Sequence, residues 1–466
     1  MSRINTNVSS LIAQRALQQN QNTLNTSLER LSTGLQINSG ADNPAGLIAS
    51  ENLKSETAGI TTAIDNANRA SNILGTAEGG LSEVSNLLTE LQGLVSQSAN
   101  SGGLSADEIS ANQLQVDSIL STVNRIAGST SFEGAKLLNG NLDYTTSSVA
   151  TSAVTGLQVN SASVPAGTTA TVVVNVVTSA SNAKLTSTQG ATSGNVSLAI
   201  TGNLGSVNLS FGSNTSVASV AQAINADTAQ TGVSASTSGG ALIVNSTTLG
   251  SSQYVTVKTL SGQYAFSGAT DKGSDAVVTV NGAAASANGN QVEYRTGQLD
   301  VSFSLSAAFN ANGATTTFGI TGGGATFALG EKVTDADKAS IGISSVSTGS
   351  LGDNINGFLS TLGSGGANSL TSTNLVTAQK ILDAATNQVS SLRGRIGAFQ
   401  KFTIGSTVNA LGVAYENASA AESAITDTDF AAETSNLTRA QILASSAQTV
   451  LKTANSAPSS VLSLLQ

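Results

Sequence analysis

The chain has 466 residues, enough for two to four domains, and it contains no cysteine, histidine or tryptophan. Because cysteine and histidine are missing, disulfides, thiolate nucleophiles and the catalytic or zinc-binding constellations built on imidazole are excluded. The formal net charge is −9 and only 10% of residues are charged. This balance argues against nucleic-acid binding and favours close packing between identical copies.

The N-terminal segment from Met1 to Asn7 is polar and lacks the basic and apolar regions of a cleavable signal peptide. No stretch of the sequence reaches the roughly 18 uninterrupted apolar residues that cross a bilayer, so no membrane association is expected. These features favour a cytoplasmic protein or, equally, a chain exported by a dedicated machine.

Residues 1 to about 140 are predicted to be helical. A thin apolar stripe comes first, formed by Val8, Leu11, Leu17, Leu24, Leu28, Leu31 and Leu35. Asn43-Pro44 then marks a break, because proline disfavours helix in the residue before it. A heptad seam follows, with Leu53, Ile60, Ala67, Leu74, Leu81, Leu88 and Val95 seven residues apart. Ser105 and Glu108 resemble a capping box that begins another helix.

The middle of the chain, roughly 145–345, differs in kind. Short runs of strand-like alternation are separated by turns rich in Gly, Ser and Asn, as expected of an antiparallel β domain. These runs are Thr171 to Val177, Val196 to Ile200, Val207 to Phe211, Leu242 to Val244, Val255 to Val257, Val277 to Val280 and Val301 to Leu305. One short helix is predicted at Val217 to Ala226.

The C-terminal zone returns to helical spacing. Its apolar seam contains Leu382, Ala385, Val389, Leu392, Ile396 and Phe399. The register slips near Gly405, and a thin stripe ends the chain with Phe430, Leu437, Leu443, Ala447 and Val450. Pro458 separates a short apolar end that includes Leu464 and Leu465.

Long helices with one apolar seam need a partner to bury it. We therefore predict an α+β multidomain fold in which the N- and C-terminal helices pack together and the β domain is looped out. The outermost stripes, 1–35 and 430–466, are too thin and too polar for a stable isolated pair. We expect them to be disordered in the monomer and to become ordered when neighbouring copies supply the missing faces.

Motifs at both ends resemble bacterial flagellins. At the N-terminal end these are Arg3-Ile4-Asn5-Thr6-Asn7, the stretch from Leu28 to Ser39, Asp42-Asn43-Pro44-Ala45-Gly46, Gln97-Ser98-Ala99-Asn100, Phe132-Glu133-Gly134 and Leu137-Leu138-Asn139-Gly140. At the C-terminal end they are Glu416 to Ser423, Ile425 to Ala431 and Leu464-Leu465. A weaker match in the middle, Ala223 to Ala226 with Thr231 to Ala235 and Leu242 to Val244, is similar to a module of flagellins and hook-associated proteins.

The resemblance implies a coiled-coil inner tube, a helical rod with a β-hairpin, and an outward variable domain. The corresponding segments are 1–44 and 426–466 for the tube, 45–145 and 346–425 for the rod, and 146–345 for the variable β domain. The tube residues expected at the polymer interface are Val8, Leu11, Leu17, Leu24, Leu28, Leu31, Phe430, Leu437, Leu443, Val450, Leu464 and Leu465. The rod seam would comprise Leu53, Ile60, Leu74, Leu81, Leu88, Val95, Val389, Leu392, Ile396 and Phe399.

The resemblance also implies a function. The chain would be the structural subunit of an extracellular bacterial flagellum, exported through the flagellar type III apparatus, and it would need no cofactor. Its partners would be copies of itself, a hook–filament junction protein, a filament cap protein and an export chaperone. Gln36 replaces a usual Arg, which puts in doubt one polar contact at the junction of tube and rod.

Flagellins recognised by Toll-like receptor 5 carry an Arg-rich patch before the Gln-x-Ala-Asn stretch and a Glu on the next helix. Here Leu94 and Gln97 match, but Glu90, Gln92 and Gly93 replace the patch and Gln115 replaces the Glu. Because charge pairs needed for buried binding are lost or reversed, we expect weak or absent recognition.

Other interpretations remain open at this point. Asp427 and Asp429 are a metal pair or, in the simpler interpretation, helix caps. The run Gly322-Gly323-Gly324 lacks the Lys and Ser/Thr of a phosphate loop and is read as a flexible turn. Three other functions are open. The chain could be a hook–filament junction protein, which shares such end helices. Its β domain could instead be an adhesin displayed on a filament, or an enzyme could be inserted in the middle. The scattered acids of the middle zone show no catalytic spacing, which disfavours the enzyme.

Overall fold

A computed structural model describes residues 6–100, 103–162, 164, 168–353, 356–372 and 374–463. The helices are α1 (Val8–Thr33), α2 (Pro44–Ser98), α3 (Ala106–Ser129), α4 (Val217–Ala226), α5 (Thr228–Thr231), α6 (Leu375–Ala398), α7 (Gly405–Thr426) and α8 (Phe430–Ser463). Short 3-10 helices cover Asp335–Asp337 and Leu359–Leu362, and Phe399–Ile404 is π-helical. Helical ends around a β-rich middle confirm the predicted α+β class.

The strands form antiparallel pairs. Their bounds are β1 (Ser131–Phe132), β2 (Ala135–Lys136), β3 (Tyr144–Ser147), β4 (Val154–Ala162), β5 (Ala170–Thr178), β6 (Lys184–Thr186), β7 (Val196–Gly202), β8 (Ser206–Phe211), β9 (Val233–Ser238), β10 (Ala241–Ser246), β11 (Tyr254–Ser261), β12 (Thr270–Lys272), β13 (Val277–Val280), β14 (Ala283–Ala284), β15 (Ser286–Asn288), β16 (Gln291–Arg295), β17 (Leu299–Leu305), β18 (Thr315–Gly323), β19 (Ala325–Ala328), β20 (Lys338–Ile341), β21 (Gly352–Asp353) and β22 (Gly357–Phe358). Each run of alternation noted in the sequence lies in one of them, and the helix expected at Val217 to Ala226 is α4.

The ends of the long helices follow local chemistry. The Asn7 side chain accepts from the Ser10 amide at the start of α1, and Gly34 ends that helix with φ of 74°, a conformation that favours glycine. At α3 the capping box is confirmed: the Glu108 amide donates to Ser105 Oγ (3.3 Å) and the Ser105 amide donates to Glu108 Oε2 (2.7 Å).

Polar contacts outside the apolar seams join α6 and the turn after it to α2, and join α3 to the 3-10 turn at 359–362. Arg393 on α6 donates to Glu78 on α2 (2.8 Å), and Gln400 donates to the carbonyl of Ser71 (3.0 Å). Gln113 on α3 donates to the carbonyl of Leu362 (2.9 Å), so the 3-10 turn at 359–362 packs on α3. Together with the buried seams, these contacts hold a helical bundle whose chain partners are hundreds of residues apart.

The described residues of the β-rich middle form two hydrophobic cores, where the sequence suggested one domain. The first core lies in two sheets, with strand orders β14-β13-β5-β18-β3 and β15-β16-β17-β4, and includes Val174, Val278, Val301 and Phe318. The second lies in sheets β12-β11-β7-β8 and β6-β10-β9 with helix α4, and includes Leu198 and Ile224. All strands of the second core lie between β5 and β13, so it is an insertion within the first.

The chain divides into two compact units. One comprises residues 1–68, 328–337 and 404–466, and the other comprises 69–327 and 338–403. The boundary at 403/404 falls in the π-helical turn Phe399–Ile404, which adds residues to the helix and accounts for the register slip seen near Gly405.

Candidate self-assembly surface

Helices α1 and α8 form an antiparallel pair whose register is fixed at both ends. Near the start of α1, Asn7 Nδ2 donates to the carbonyl of Ala454 (2.7 Å), and Ser10 Oγ donates to Asn455 Oδ1 (2.6 Å). Near its end, Arg30 Nη1 lies 3.9 Å from Glu433 Oε2. The pair therefore brings together the two ends of a 466-residue chain.

Small side chains fill the contact between α1 and α8. The buried residues of these helices include Ser10, Ala13 and Ser27 on one side, and Ala440, Ala444 and Ala447 on the other. Alanine and serine let two backbones approach closely but bury little apolar area. Four expected interface residues, Leu17, Leu24, Leu31 and Leu437, are only half-buried.

The larger apolar side chains of the pair point to solvent. Roughly half of each side chain is exposed at Val8, Leu11, Ile12, Leu28, Phe430, Ile442, Leu443 and Val450, with exposed fractions between 46% and 64%. Six of these eight were expected at the polymer interface; Ile12 and Ile442 were not. Leu464 and Leu465 lie outside the described residues. Exposed apolar rows of this extent are typical of surfaces that bind another protein.

A short backbone pairing joins the chain segments that lead into α1 and α8. The Gln36 amide donates to the carbonyl of Thr426 (2.6 Å), and the Thr428 amide donates to the carbonyl of Gly34 (2.9 Å). Gln36 takes part through its backbone, while its side chain is exposed. The pairing does not depend on which side chain stands at 36.

Asp429 is a helix cap, as the simpler interpretation held. Its Oδ1 accepts from the amides of Ala431 (2.9 Å) and Ala432 (3.1 Å) at the first turn of α8. Asp427 accepts from Ser423 Oγ (2.6 Å) and from Thr426 Oγ1 (3.1 Å). Both carboxylates are therefore engaged by their own chain.

The expected rod-seam residues are mostly inside. Ile60, Leu74, Leu81, Leu88, Val95, Val389, Leu392 and Ile396 are buried, whereas Leu53 and Phe399 are half-buried. The ring of Phe399 packs against Phe327 with centroids 6.2 Å apart. Sequence reasoning did not foresee the ion pair between Arg393 and Glu78. The signal available was their position beside the heptad seam, where paired charges are common.

The three positions that match the receptor site differ in access. Glu90 and Gln115 are exposed, but Leu94 is buried with 8% of its surface accessible. Gln97, the other residue that matches the receptor site, is exposed.

A polar cluster connects α6 to the first β core. No pattern in the sequence predicted it. Arg395 donates to Asn160 Oδ1, and Asn160 Nδ2 donates to Asp300 Oδ1 (2.8 Å). Asp300 Oδ2 also lies 3.5 Å from Arg295 Nε. Burial raises the pKa of Asp143 above its usual value, and the charge of Arg395 partly offsets this rise. Burial lowers the pKa of Arg395, and the charges of Asp300 and Asp143 partly offset this fall. We call these residues the Arg395 cluster.

Hydrogen bonds lower the pKa of several other carboxyl groups. The amide and hydroxyl of Ser39 lower the pKa of Asp42, and those of Ser105 lower the pKa of Glu108. Ser251 and the Gly289 amide lower the pKa of Asp275. These carboxylates fix turns and caps.

Comparison with known proteins assigns the family. Residues 4–143 match the bacterial flagellin N-terminal helical region, residues 379–465 match the bacterial flagellin C-terminal helical region, and residues 197–248 match the flagellin hook IN motif. The last covers most of the second β core and confirms the weaker resemblance noted in the middle of the sequence.

Relatives extend the match to full length. The chain is 30% identical to Flagellin B of Vibrio cholerae serotype O1 over 466 residues, which is 99% of each chain. It is 47% identical to Polar flagellin F of Vibrio parahaemolyticus over 137 residues, 29% of this chain and 36% of that one. A solved structure of FliC from Burkholderia pseudomallei shares 17% identity and covers 71% of this chain and 99% of its own, with a TM-score of 0.25, a value that supports no inference.

Among the described residues, no helix combines the length and hydropathy that a bilayer crossing requires. The two terminal helical regions, the motif between them and the full-length relatives agree with one another. The chain belongs to the bacterial flagellins, structural proteins of the extracellular flagellar filament and not enzymes.

Proposed function

We propose that the subunit polymerises through the outward faces of α1 and α8. One observation carries this proposal: small residues occupy the contact between the two helices, while Leu11, Ile12, Phe430 and Leu443 remain about half exposed. Covering the exposed half of a leucine is worth about 1 kcal/mol. Several such residues per subunit offset the loss of freedom on assembly.

Seeded elongation of purified subunits tests this interface. We expect Leu11→Asp with Ile12→Asp to abolish growth of filaments from wild-type seeds, as seen by electron microscopy. The matched control is Leu204→Asp with Leu260→Asp, two side chains that are 65% and 51% exposed in the β-rich middle; it should elongate normally. Normal growth of the terminal variant would contradict the proposal, and failure of the wild type to elongate would favour a junction protein.

We propose that the chain is divided into tube, rod and variable segments. We assign residues 1–44 and 426–466 to the inner tube, 45–145 and 346–425 to the rod, and 146–345 to the outward domain. The backbone pairing at 34–36 and 426–428 lies close to both tube boundaries, which supports them. Deletion of residues 150–340 should spare filament growth, since none of the proposed tube residues lies in that segment.

The partners follow from the same role. The apolar terminal faces of such a subunit must be kept apart until assembly. We therefore propose that the chain is exported through the flagellar type III apparatus and that its partners are an export chaperone, a hook–filament junction protein and a filament cap protein. Exposed apolar rows on α1 and α8 are the surfaces on which we place these contacts. Co-purification with the chaperone should be lost in a chain truncated before α8.

Recognition by Toll-like receptor 5 is proposed to be weak. Glu90 presents a negative charge at an exposed position, Gln115 is neutral, and Leu94 is buried. A cell-reporter assay with purified monomer should therefore give little response, and Glu90→Arg with Gln115→Glu should raise it. A strong response to the unaltered monomer would refute this proposal.

A further inference from the structure

One sheet of the first β core turns an uncharged face to solvent. Its five strands, in the order β14-β13-β5-β18-β3, contain no aspartate, glutamate, lysine or arginine. The other sheet of this core contains Glu293, Arg295 and Asp300, and the sheet β12-β11-β7-β8 contains Lys258 and Lys272. We call the outward side chains of the uncharged sheet the neutral face.

Apolar side chains are concentrated on the neutral face. Buried and outward positions alternate along β5, and its outward residues Val173 and Val177 are 37% and 49% exposed. Val277 on the neighbouring β13 is 51% exposed. Among the described residues between 146 and 327, the other exposed large apolar side chains are Leu204 and Leu260. Three of these five therefore share one face, as expected of a surface that another molecule covers.

The hydroxyl groups of the neutral face are bonded within their own sheet, and the face has no hole. Thr145 Oγ1 and Thr321 Oγ1 are 2.9 Å apart, and Thr321 Oγ1 also donates to the carbonyl of Thr145 (3.1 Å). The side chains of Ser147 and Thr169 cover Gly319, where a Cβ would come within 2.8 and 2.7 Å of them. A carbohydrate needs free donors and acceptors, whereas these satisfied hydroxyls enter a dry contact without losing a partner.

The charge of the chain favours a second copy as the molecule that covers this face. The net charge is −9, so two copies repel each other wherever their acidic residues approach. A neutral face that meets itself brings no like charges together and removes its valines from water. A nucleic acid or an acidic polysaccharide would find no cation on these strands to pair with.

We propose that the neutral face packs on the neutral face of a second copy of this chain. A surface that binds itself makes a two-fold, isologous contact, which closes after two copies. The pairing therefore goes beyond the proposed polymerisation, which uses α1 and α8 and remains open. It joins subunits in pairs through segments that lie outside the terminal helices.

The size of the sheet indicates how strong this pairing is. Five strands spaced about 4.8 Å apart and about six residues long cover roughly 500 Å² on each copy. The pair would bury roughly 1,000 Å² in total, less than the roughly 1,200–2,000 Å² of stable complexes. Free subunits therefore pair weakly, and the contact fills when a polymer holds two copies at an effective concentration of about a millimolar.

Disulfide trapping tests the pairing, because the chain contains no cysteine and a single introduced thiol can bond only to its own copy in another subunit. Val173→Cys, Val177→Cys and Val277→Cys are compared in oxidised filaments with Leu204→Cys, a 65% exposed control. At least one of the three should form cross-linked dimers about tenfold faster than the control. If none does, the face does not meet itself and the proposal is overturned.

Charge placed on the face provides a second test. Thr317 is the register partner of Val173, so Thr317→Lys and Thr317→Glu each put a charge at an exposed position of the neutral face. In the chain with the fastest cysteine, each should slow cross-linking about tenfold, because like charges then oppose each other. Filaments that mix the Lys and Glu chains should recover to within about threefold. Ser210→Lys, on the exposed edge strand β8, should have no effect.

The outcomes separate pairing from polymerisation. If filaments grow but no cysteine outpaces the control, or the mixed filaments are not rescued, pairing is refuted and polymerisation stands. If the wild type does not elongate, the proposed function fails, and cross-linking is measured on subunits at about 1 mM instead. The same cysteine should then outpace the control, and equal rates would refute pairing as well. Circular dichroism checks that each variant is folded.

Discussion

Two arginines on α6 are two residues apart in sequence but contact different parts of the molecule, so the contributions of these two contacts to stability can be compared directly. Arg395 reaches Asn160 and, through it, Asp300 in the β-rich middle. Arg393 pairs with Glu78 inside the helical bundle at 2.8 Å. Replacing each in turn by methionine, which keeps the length of the stem, should destabilise different parts of the molecule.

The expected sizes follow from burial. Removing one partner of a buried charged cluster costs about 3–5 kcal/mol. Asp300 keeps Arg295 and its side chain is 23% exposed, so we expect about 2–3 kcal/mol for Arg395→Met. The side chains of Arg393 and Glu78 are 34% and 33% exposed, and breaking this pair should cost about 1 kcal/mol or less.

Amide hydrogen exchange is the appropriate assay, because a molecule with several cores need not unfold in one step. Exchange in β4 and β17 should accelerate about 30- to 140-fold in Arg395→Met, which corresponds to 2–3 kcal/mol. In Arg393→Met these strands should exchange as in the wild type. Equal protection of β4 in all three chains would show that the Arg395 cluster does not hold this junction.

Three further predictions concern stability and order. Leu81→Ala, at a fully buried seam position, should lower the opening free energy read from amide exchange in α2 by about 2–5 kcal/mol, whereas Leu443→Ala, 46% exposed, should change it by less than about 0.5. The lowered pKa of Asp275 means that its stabilisation is present above the ordinary aspartate pKa of about 4 and is lost as pH falls through the lower folded value; Asp275→Asn should therefore reduce the acid dependence of Gly289 amide protection. Amides of α1 and α8, which are helical and paired in the structure of the single chain, should still exchange faster in the monomer than in filaments, because the contact between the two helices buries little apolar area. Equal protection in the two states would contradict this.

Much of the helical architecture is encoded locally. Heptad spacing from Leu53 to Val95 predicts α2, and Ser105 with Glu108 predicts the start of α3 to the residue. The strands found in advance, such as β7 and β13, alternate between buried positions and positions that are half-buried or exposed. In these elements a pattern of a few residues decides the outcome.

Other features depend on contacts between distant segments, which no local pattern reveals. Strand β18 contains Gly319, Gly322 and Gly323, and it is held by pairing with β5 and β3. The same holds for the two separate β cores and for the link from Arg395 to Asn160, which form only when segments far apart in the sequence come into contact. The thin stripe of α1 was found, but the sequence could not show that alanines and serines would occupy the contact with α8.

The place where the second β core leaves the first has a practical consequence. Thr178, the last residue of β5, is the register partner of Val277, the first residue of β13. The excursion of about a hundred residues therefore departs and returns at adjoining points of one ladder. A foreign peptide or a whole small protein whose ends lie close together could be grafted there without altering the host sheet, so this position is a natural site for displaying cargo along a filament.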